Sequence, residues 1–257
     1  MVHLSPLPGA PRFDHEAGME MIVAKAVADA RALANAGFPA LIVENFGDSP
    51  FFADRVPPVT IAALTRVITA VQDESGLDVG VNVLRNDAIS SLGIAAATGA
   101  SWIRVNVLAG LMYTDQGPIS GRAADVLRLR QAWCPEVGIL ADVFVKHASP
   151  PPGTDIGQAG LDTWERGGAD ALIVSGTATG SAPDLDRARD LRIAVPDAPI
   201  LVGSGATVAN LAELAKVANG AIVGSALKRG GRADSEVDPE AAKEFVAAAR
   251  EVGWFEP

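Results

Sequence analysis

Lys146 and Asp142 are the residue types and spacing in this sequence best suited to proton transfer. They share one face of a predicted strand, and the apolar Val143 and Val145 lie on the other. Burial lowers the pKa of a lysine and raises that of a carboxylate, so such a pair at a desolvated strand end can move protons beside a carbonyl or form a Schiff base. Lysines at strand ends also serve simply to bind anions, so both roles stay open.

Several other polar side chains interrupt apolar strands in the same way. In a parallel barrel the helices cover the outer face of each strand, so a polar side chain in mid-strand must point into the lumen or lie at its mouth. The predicted catalytic set is Asp142, Lys146, Glu44, Arg104, Asn82, Asn106, His147 and His3. The predicted substrate-binding set, just beyond the strand ends, is Asn45, Arg85, Asn86, Asp87, Ser175 and Thr177. The alternative is a stabilising network that plugs the barrel, in which Arg104 neutralises Glu44 or Asp142.

Two late strands end in Gly-Ser, which is a pattern typical of phosphate sites. Glycine lets backbone N–H groups approach an anion, serine adds a hydroxyl donor, and the loops after the seventh and eighth strands of a barrel commonly hold phosphate. The predicted phosphate-binding residues are Gly203, Ser204, Gly205, Gly224 and Ser225, with Lys228 as a weaker candidate. The alternative is that small residues suit tight turns and the site holds water or sulfate.

Glu44, Asp87, Asp142, His3 and His147 on the same face leave room for a divalent metal such as magnesium. No HxxxH or His-x-His pair supplies a recognisable ligand spacing, so we assign no metal and no cofactor.

Eight apolar, β-branched runs alternate with Ala-rich segments of helical period. The predicted strands are residues 1–4, 40–44, 79–84, 102–107, 137–145, 171–175, 200–203 and 221–224. The predicted helices are residues 16–35, 59–74, 89–98, 123–133, 156–166, 184–194, 207–218 and 239–252. This α/β alternation predicts parallel strands and a (β/α)8 TIM barrel in one domain, residues 1–257. An open doubly wound sheet is the alternative, but no GxGxxG follows the first strand.

Two connections after strands are long, residues 109–122 and 148–155. Turns after helices are short, which places the working face at the carboxyl ends of the strands. Each long connection is either a lid or a surface segment stiffened by proline.

Composition excludes several classes of protein. The 257 residues are 49% hydrophobic, which rules out a disordered chain, and the net charge of −10 argues against sequence-independent nucleic-acid binding. No apolar run is long enough for a transmembrane helix, and neither a signal peptide nor an internal disulfide is expected, so we expect a cytoplasmic protein. We also expect a homo-oligomer, because barrels commonly associate through their outer helices.

The longest polar motifs together resemble one protein family. They are residues 2–9 (VHLSPLPG), 43–48 (VENFGD), 80–87 (GVNVLRND), 103–106 (IRVN) and 145–148 (VKHA), with the segments around Val202 and Ile222. These motifs resemble the BtpA/SgcQ family over nearly the whole chain. The resemblance implies a ribulose-phosphate-binding-barrel-like fold. It also implies two competing roles, because one member is implicated in photosystem I biogenesis at the thylakoid membrane surface and others belong to sugar-utilisation gene clusters.

We therefore expect an enzyme that acts on a small phosphorylated metabolite, sugar phosphate-like, by isomerase, epimerase or lyase chemistry. The alternative is a non-catalytic biogenesis or regulatory factor for a membrane complex such as photosystem I. Peripheral membrane association is implied by the resemblance alone, since the sequence has no basic amphipathic face to explain it.

Overall fold

The inner layer of the protein is a parallel sheet. The computed structural model describes residues 1–176 and 184–254. Its sheet strands are β1 (Val2–His3), β2 (Ala40–Glu44), β3 (Asp78–Asn82), β4 (Trp102–Val105), β5 (Gly138–Val143), β6 (Ala171–Val174), β7 (Ile200–Val202) and β8 (Gly220–Ala221). Neighbours in the sheet are neighbours in the chain throughout, as right-handed strand–helix–strand units require.

The sheet curls until its first and last strands meet. The Met1 amine donates a hydrogen bond of 2.9 Å to the Val223 carbonyl oxygen, just beyond β8. The strands are followed by helices α1 (Gly18–Ala36), α2 (Pro58–Ser75), α3 (Ala88–Thr98), α4 (Ala123–Trp133), α5 (Ile156–Leu161), α6 (Leu185–Ala194), α7 (Leu211–Leu214) and α8 (Pro239–Glu251). The predicted (β/α)8 barrel is confirmed.

Local sequence explains where the helices begin and end. Glycines with positive φ cap the carboxyl ends of α1, α2 and α3, and Gly37 at the end of α1 has a φ of 93°. Asp87 and Asp155 cap the amino ends of α3 and α5 by accepting a backbone N–H. The predicted seventh helix is shorter than expected, because residues 208–210 form a 3-10 turn before α7 begins.

The barrel lumen is apolar at one end and polar at the other. Ile42, Ile173 and Ile222 form a buried apolar cluster inside the barrel and pack against Trp102 and Leu140. At the next inward position toward the carboxyl end of the strands lie the polar residues predicted from the strand alternation. The outward positions pack against the helices in one large apolar core. Polar side chains are therefore concentrated toward the carboxyl ends of the strands.

The two long connections form a small antiparallel sheet that the sequence analysis did not predict. Strands Leu111–Thr114 and Gly117–Ser120 make a hairpin, and the first of them also pairs with Ala148–Ser149. We call these three strands the roof sheet. Met112 and Ile119 face each other across the hairpin and are buried with Val107 and Val145. The 109–122 and 148–155 segments are thus one unit, with an apolar core of its own over the barrel mouth.

Strands β4 and β5 end earlier than predicted. β4 stops at Val105 and β5 at Val143, two residues short of the expected ends in each case. Phe144 has a φ of 58°, which a continuing β-strand does not allow, so the chain turns there.

Candidate functional site

A buried ion pair between Arg104 and Asp142 lies at the centre of the polar layer. The Arg104 Nε donates to Asp142 Oδ2 and its Nη2 to Oδ1, each at 2.9 Å, so the pair is bidentate. The two side chains are 1% and 0% exposed. Burial lowers the pKa of Arg104, but the charge and hydrogen bonds of Asp142 outweigh it and the net shift is upward. Arg104 is therefore held in its charged form.

Three more side chains complete a network around this pair. Asn106 Nδ2 donates to Asp142 Oδ2 at 3.1 Å, and the Ser175 hydroxyl donates to Oδ1 at 3.3 Å. Asn82 Nδ2 donates in turn to Asn106 Oδ1 and to the Arg104 carbonyl oxygen, both at 3.2 Å. Asp142 thus accepts four hydrogen bonds, and the stabilising alternative describes it well: it neutralises and positions Arg104.

Lys146 stands apart from that network. No hydrogen bond or ion pair joins its Nζ to another residue in the ranges 1–176 and 184–254. Burial lowers its pKa, the positive charges of Arg104 and Arg85 lower it further, and Glu44 and Asp142 oppose the shift. A larger share of this amine is therefore neutral near neutral pH than of an exposed lysine, and a neutral amine is the form that acts as a nucleophile or a base.

The backbone around Lys146 is held in an unusual conformation. Phe144 and His147, on either side of it, both have positive φ, 58° and 55°. Such conformations are costly for residues other than glycine and concentrate at functional sites. Arg85 Nη2 donates to the Lys146 carbonyl oxygen at 2.6 Å, which fixes the segment in place.

Glu44 and His3 lie side by side in the same polar layer, both buried. His3 Nδ1 bonds to the Ala233 carbonyl oxygen at 3.0 Å, which requires the hydrogen on Nδ1, and His3 Nε2 lies 3.7 Å from Glu44 Oε1. Burial lowers the pKa of His3 well below its usual range, aided by the charges of the Met1 amine, Lys228 and Lys146. His3 is therefore neutral, and no lysine or arginine in the described residues pairs directly with Glu44.

The Gly-Ser turns line a small cleft beside Lys146. We call the space of about 20 Å³ between Ser204, Gly224, Ser225, Arg104 and Lys146 the glycine-serine cleft. The Ser204 hydroxyl is buried and has no hydrogen-bond partner among residues 1–176 and 184–254. Buried polar groups are rarely left unpaired in native proteins, so this hydroxyl is a ready donor for a ligand.

Close packing requires glycine at two positions of this cleft. A Cβ on Gly203 would lie 2.4 Å from the Ser175 hydroxyl, and one on Gly224 would lie 2.8 Å from the His3 ring. Lys228 does not reach the cleft, because its buried Nζ donates to Asp29 Oδ2 at 2.6 Å.

A larger cavity of about 490 Å³ adjoins the glycine-serine cleft, and Lys146 lines both the cleft and this cavity. We call it the mouth cavity. Its charged lining consists of Arg12, Glu44, Arg85, Asp115, Lys146 and His147. Burial lowers the pKa of Arg85, and burial with the charges of Lys146 and Arg85 lowers that of His147. The sequence analysis missed four lining residues, Arg12, Phe46, Phe51 and Asp115. Phe46 begins a short 3-10 turn and the other three lie on loops, so none of them belongs to a predicted strand or helix.

Three predicted substrate-binding residues serve the loops instead. Asn45 Oδ1 accepts the Leu84 N–H at 2.7 Å, and Asn86 exchanges two hydrogen bonds with the backbone of Val107. Asp87 caps α3 and also accepts the Val56 N–H. These side chains hold strand ends in position and do not line the mouth cavity.

The predicted substrate-binding residue Thr177 lies outside the described residues. Within residues 1–176 and 184–254 no group of three or more histidine, cysteine, aspartate or glutamate side chains could hold a metal ion.

No helix in the described part of the chain is both long and apolar enough to cross a membrane.

Sequence comparison places relatives along the whole chain. The model of the BtpA family matches residues 1–251. Photosystem I biogenesis protein BtpA of Synechocystis is 44% identical over 98% of this chain and 87% of its own length. An uncharacterised protein of Thermococcus kodakarensis is 46% identical over 98% of this chain and 94% of its own. The putative sgc region protein SgcQ of Escherichia coli K12 is 30% identical over 96% and 91%.

Solved structures share the fold at low sequence identity. Thiamine phosphate pyrophosphorylase from Pyrococcus furiosus has a TM-score of 0.59 at 17% identity, covering 88% of this chain and 90% of its own. Orotidine 5'-phosphate decarboxylase from Pyrococcus horikoshii has a TM-score of 0.57 at 17% identity, covering 89% and 94%. N-(5'-phosphoribosyl)anthranilate isomerase from Pyrococcus furiosus has a TM-score of 0.58 at 16% identity, covering 87% and 93%.

Removing one member of the central ion pair should destabilise the protein more than removing both. Asp142→Ala leaves the Arg104 guanidinium buried without a counter-charge, and we expect the free energy of unfolding to fall by about 3–5 kcal/mol. The double variant Arg104→Met with Asp142→Leu buries no charge and should lose clearly less. Urea denaturation of both measures this, and a double variant as unstable as Asp142→Ala would contradict the account.

The pH dependence of stability should reveal the half-buried Lys146 amine. The pKa of Lys146 lies below its ordinary value of 10.5 in the folded chain, so in that window the unfolded chain binds more protons and wild-type stability rises with pH. The stability gain of Lys146→Met over wild type should thus be largest below the lowered pKa and shrink as pH approaches 10.5. Melting temperatures of wild type and variant across that range measure this difference. Lys243→Met, at an exposed lysine, is the control, and its difference from wild type should not change with pH. A Lys146→Met difference that does not change with pH would refute the lowered pKa.

Proposed function

The chain belongs to the BtpA family, and we propose that its barrel is an enzyme for a small phosphorylated metabolite of the sugar-phosphate type. The reaction we propose is an isomerisation, epimerisation or lyase step beside a carbonyl group. The observation that carries the proposal is the position of Lys146, which lines the glycine-serine cleft and the mouth cavity at once. A ligand with its phosphate in the cleft would place the adjoining carbon atoms next to this amine.

The cleft suits an anion in its donors and its charge. The Ser204 hydroxyl has no partner in the described part of the chain, and Arg104 and Lys146 contribute positive charge to the walls. Gly-Ser turns at the ends of β7 and β8 are where barrels of this kind hold phosphate. The three structural neighbours described above also carry a phosphorylated compound in their names, which supports the same choice.

Lys146 and Glu44 are the groups we propose for the chemistry. The Lys146 amine, partly neutral because burial lowers its pKa, would either remove a proton next to the carbonyl or attack the carbonyl carbon, with loss of water, to form an imine. Glu44 lines the same cavity, has no lysine or arginine paired with it in the part of the chain that the structure describes, and would act as the second acid or base. The neutral His3 ring, with Nε2 3.7 Å from Glu44 Oε1, would influence how Glu44 takes up and releases a proton.

The remaining polar residues would orient the substrate. Asn106 lines the mouth cavity, and its amide is fixed by Asp142 and Asn82, so it offers a preset hydrogen-bonding group. Arg104, locked by Asp142, would stabilise negative charge on a substrate oxygen. We assign Asp142 the positioning of Arg104 and no proton transfer, since all its hydrogen bonds are already formed.

Ligand screening is the direct test of the substrate class. Thermal stabilisation would be measured with sugar phosphates, nucleotides and inorganic phosphate, each with and without magnesium. A ligand at about 100 times its Kd adds about 2.7 kcal/mol to the free energy of unfolding, which is a shift of several degrees. Selective, saturable shifts by phosphorylated ligands support the proposal, and a panel without any shift overturns it.

Ser204→Ala should weaken phosphate binding without cost to the fold. The hydroxyl has no partner to lose among the described residues, so we expect an unchanged melting temperature. The affinity for ribose 5-phosphate should fall roughly tenfold, as for loss of a hydrogen bond to a charged group. Calorimetric titration measures the affinity. Ser101→Ala, at the amino end of β4, is the matched control and should bind like wild type. Equal affinity in Ser204→Ala and wild type would remove the cleft from the phosphate site.

Lys146 should be the residue that reacts with a carbonyl substrate. Borohydride added with the ligand from the screen would reduce an imine, and mass spectrometry would find the added mass on the Lys146 peptide. Lys146→Ala should fold normally and lose both the adduct and turnover, whereas Lys243→Ala should keep them. If the wild-type protein forms no adduct and Lys146→Ala still loses turnover, the lysine acts by proton transfer. Wild-type turnover in Lys146→Ala would exclude this lysine from the mechanism.

A second candidate function follows from a relative's name. A photosystem I biogenesis protein is 44% identical to this chain, so a non-catalytic assembly or regulatory factor that uses the barrel as a sensor or docking surface is the alternative. It requires binding without turnover. Recovery of a stoichiometric protein partner from a chain that is inert toward the whole ligand panel would favour it.

A further inference from the structure

A second large space adjoins the site and plays no part in the function proposed above. It is a cavity of about 400 Å³ between the roof sheet, the end of β5 and α5. We call it the side chamber. Its inner wall includes Asn106 and Asp142, and Asn106 also lines the mouth cavity. The volume falls within the usual range of small-molecule sites.

The two spaces differ in charge. The mouth cavity is lined by Arg12, Arg85 and Lys146, whereas the described lining of the side chamber includes no lysine, arginine or histidine. Its carboxylates are Asp155 and Asp162, together with Asp142, whose charge Arg104 neutralises. The Arg187 guanidinium near this chamber is paired with Asp184 at 3.2 Å. The carboxylates therefore disfavour an anionic group in the side chamber, and a neutral group is favoured.

Much of the remaining lining of the side chamber is apolar, and it includes one aromatic ring. Leu111 and Met112 of the roof sheet line it, as do Val143 and Phe144. Phe144 is the residue with a φ of 58° at the end of β5, and the Arg187 guanidinium lies 6.0 Å from its ring centroid. A bulky residue held in that backbone conformation indicates that the position of its ring matters. An aromatic wall in an apolar chamber favours a flat ring.

The glycine-serine cleft, the mouth cavity and the side chamber are arranged so that a single ligand can occupy all three. Arg104 lines the glycine-serine cleft, its partner Asp142 lines the side chamber, and Asn106 joins that chamber to the mouth cavity. We propose that the side chamber binds an uncharged aromatic or heterocyclic ring attached to the phosphorylated part of the substrate. The substrate class is then a phosphorylated glycoside of nucleotide type, with phosphate in the cleft and ring against Phe144. This inference rests on the function proposed above and specifies its substrate.

Titration calorimetry with ribose 5-phosphate, adenosine 5'-monophosphate and uridine 5'-monophosphate tests the inference. The two nucleotides should bind about tenfold more tightly than ribose 5-phosphate, which is the scale of one aromatic stacking contact with its buried area. Phe144→Leu should lose this advantage while its affinity for ribose 5-phosphate stays that of wild type. Phe144→Tyr keeps a ring and should keep the advantage, and Phe52→Leu, an exposed phenylalanine, is the matched control.

The outcomes separate this inference from the function it rests on. If ribose 5-phosphate binds in a Ser204-dependent way but neither nucleotide binds more tightly, the ring site is wrong and the phosphate site stands. An advantage that survives in Phe144→Leu also overturns the ring site. If none of the three ligands binds, both proposals fail.

Discussion

The buried ion pair of Arg104 and Asp142 is the interaction on which the polar layer depends. Two opposite charges, almost without exposure, are stable inside the barrel only because each compensates the desolvation of the other. The carboxylate can only accept hydrogen bonds, so it sets the direction of the chain that runs from Asn106 to Asn82. With Asp142 engaged in this way, Glu44 and Lys146 remain as the groups free to act on a ligand.

Apolar packing, the polar layer and the roof sheet follow one another along the axis of the barrel. Isoleucine, tryptophan and leucine side chains fill the amino end of the lumen and supply a rigid base. The polar layer comes next, and beyond it the roof sheet covers part of the mouth with its own small core. This arrangement partly encloses Lys146, which also lines the mouth cavity. The lowered pKa of that lysine is the electrostatic consequence of the same enclosure.

The fold and the members of the polar layer could be read from the sequence because both follow from periodicity. Strands of alternating pattern put Arg104, Asn82 and Asp142 inside, and the structure places them there. The roof sheet was not predicted, since Met112 and Ile119 carry an alternation too short to separate from a loop. Asn45 and Asn86 look like binding residues in sequence, yet their partners are backbone groups of distant loops. Sequence shows that a residue is polar but not what it bonds to.

The measurement that tests the account most directly is a crystal structure of the protein grown with ribose 5-phosphate. The account predicts a phosphate group in the glycine-serine cleft, within hydrogen-bonding distance of the Ser204 hydroxyl, and sugar carbons beside the Lys146 amine. The Arg104 and Asp142 side chains should remain bonded to each other as they are here. A sugar phosphate bound elsewhere on the barrel, with the cleft filled only by water, would contradict the central claim.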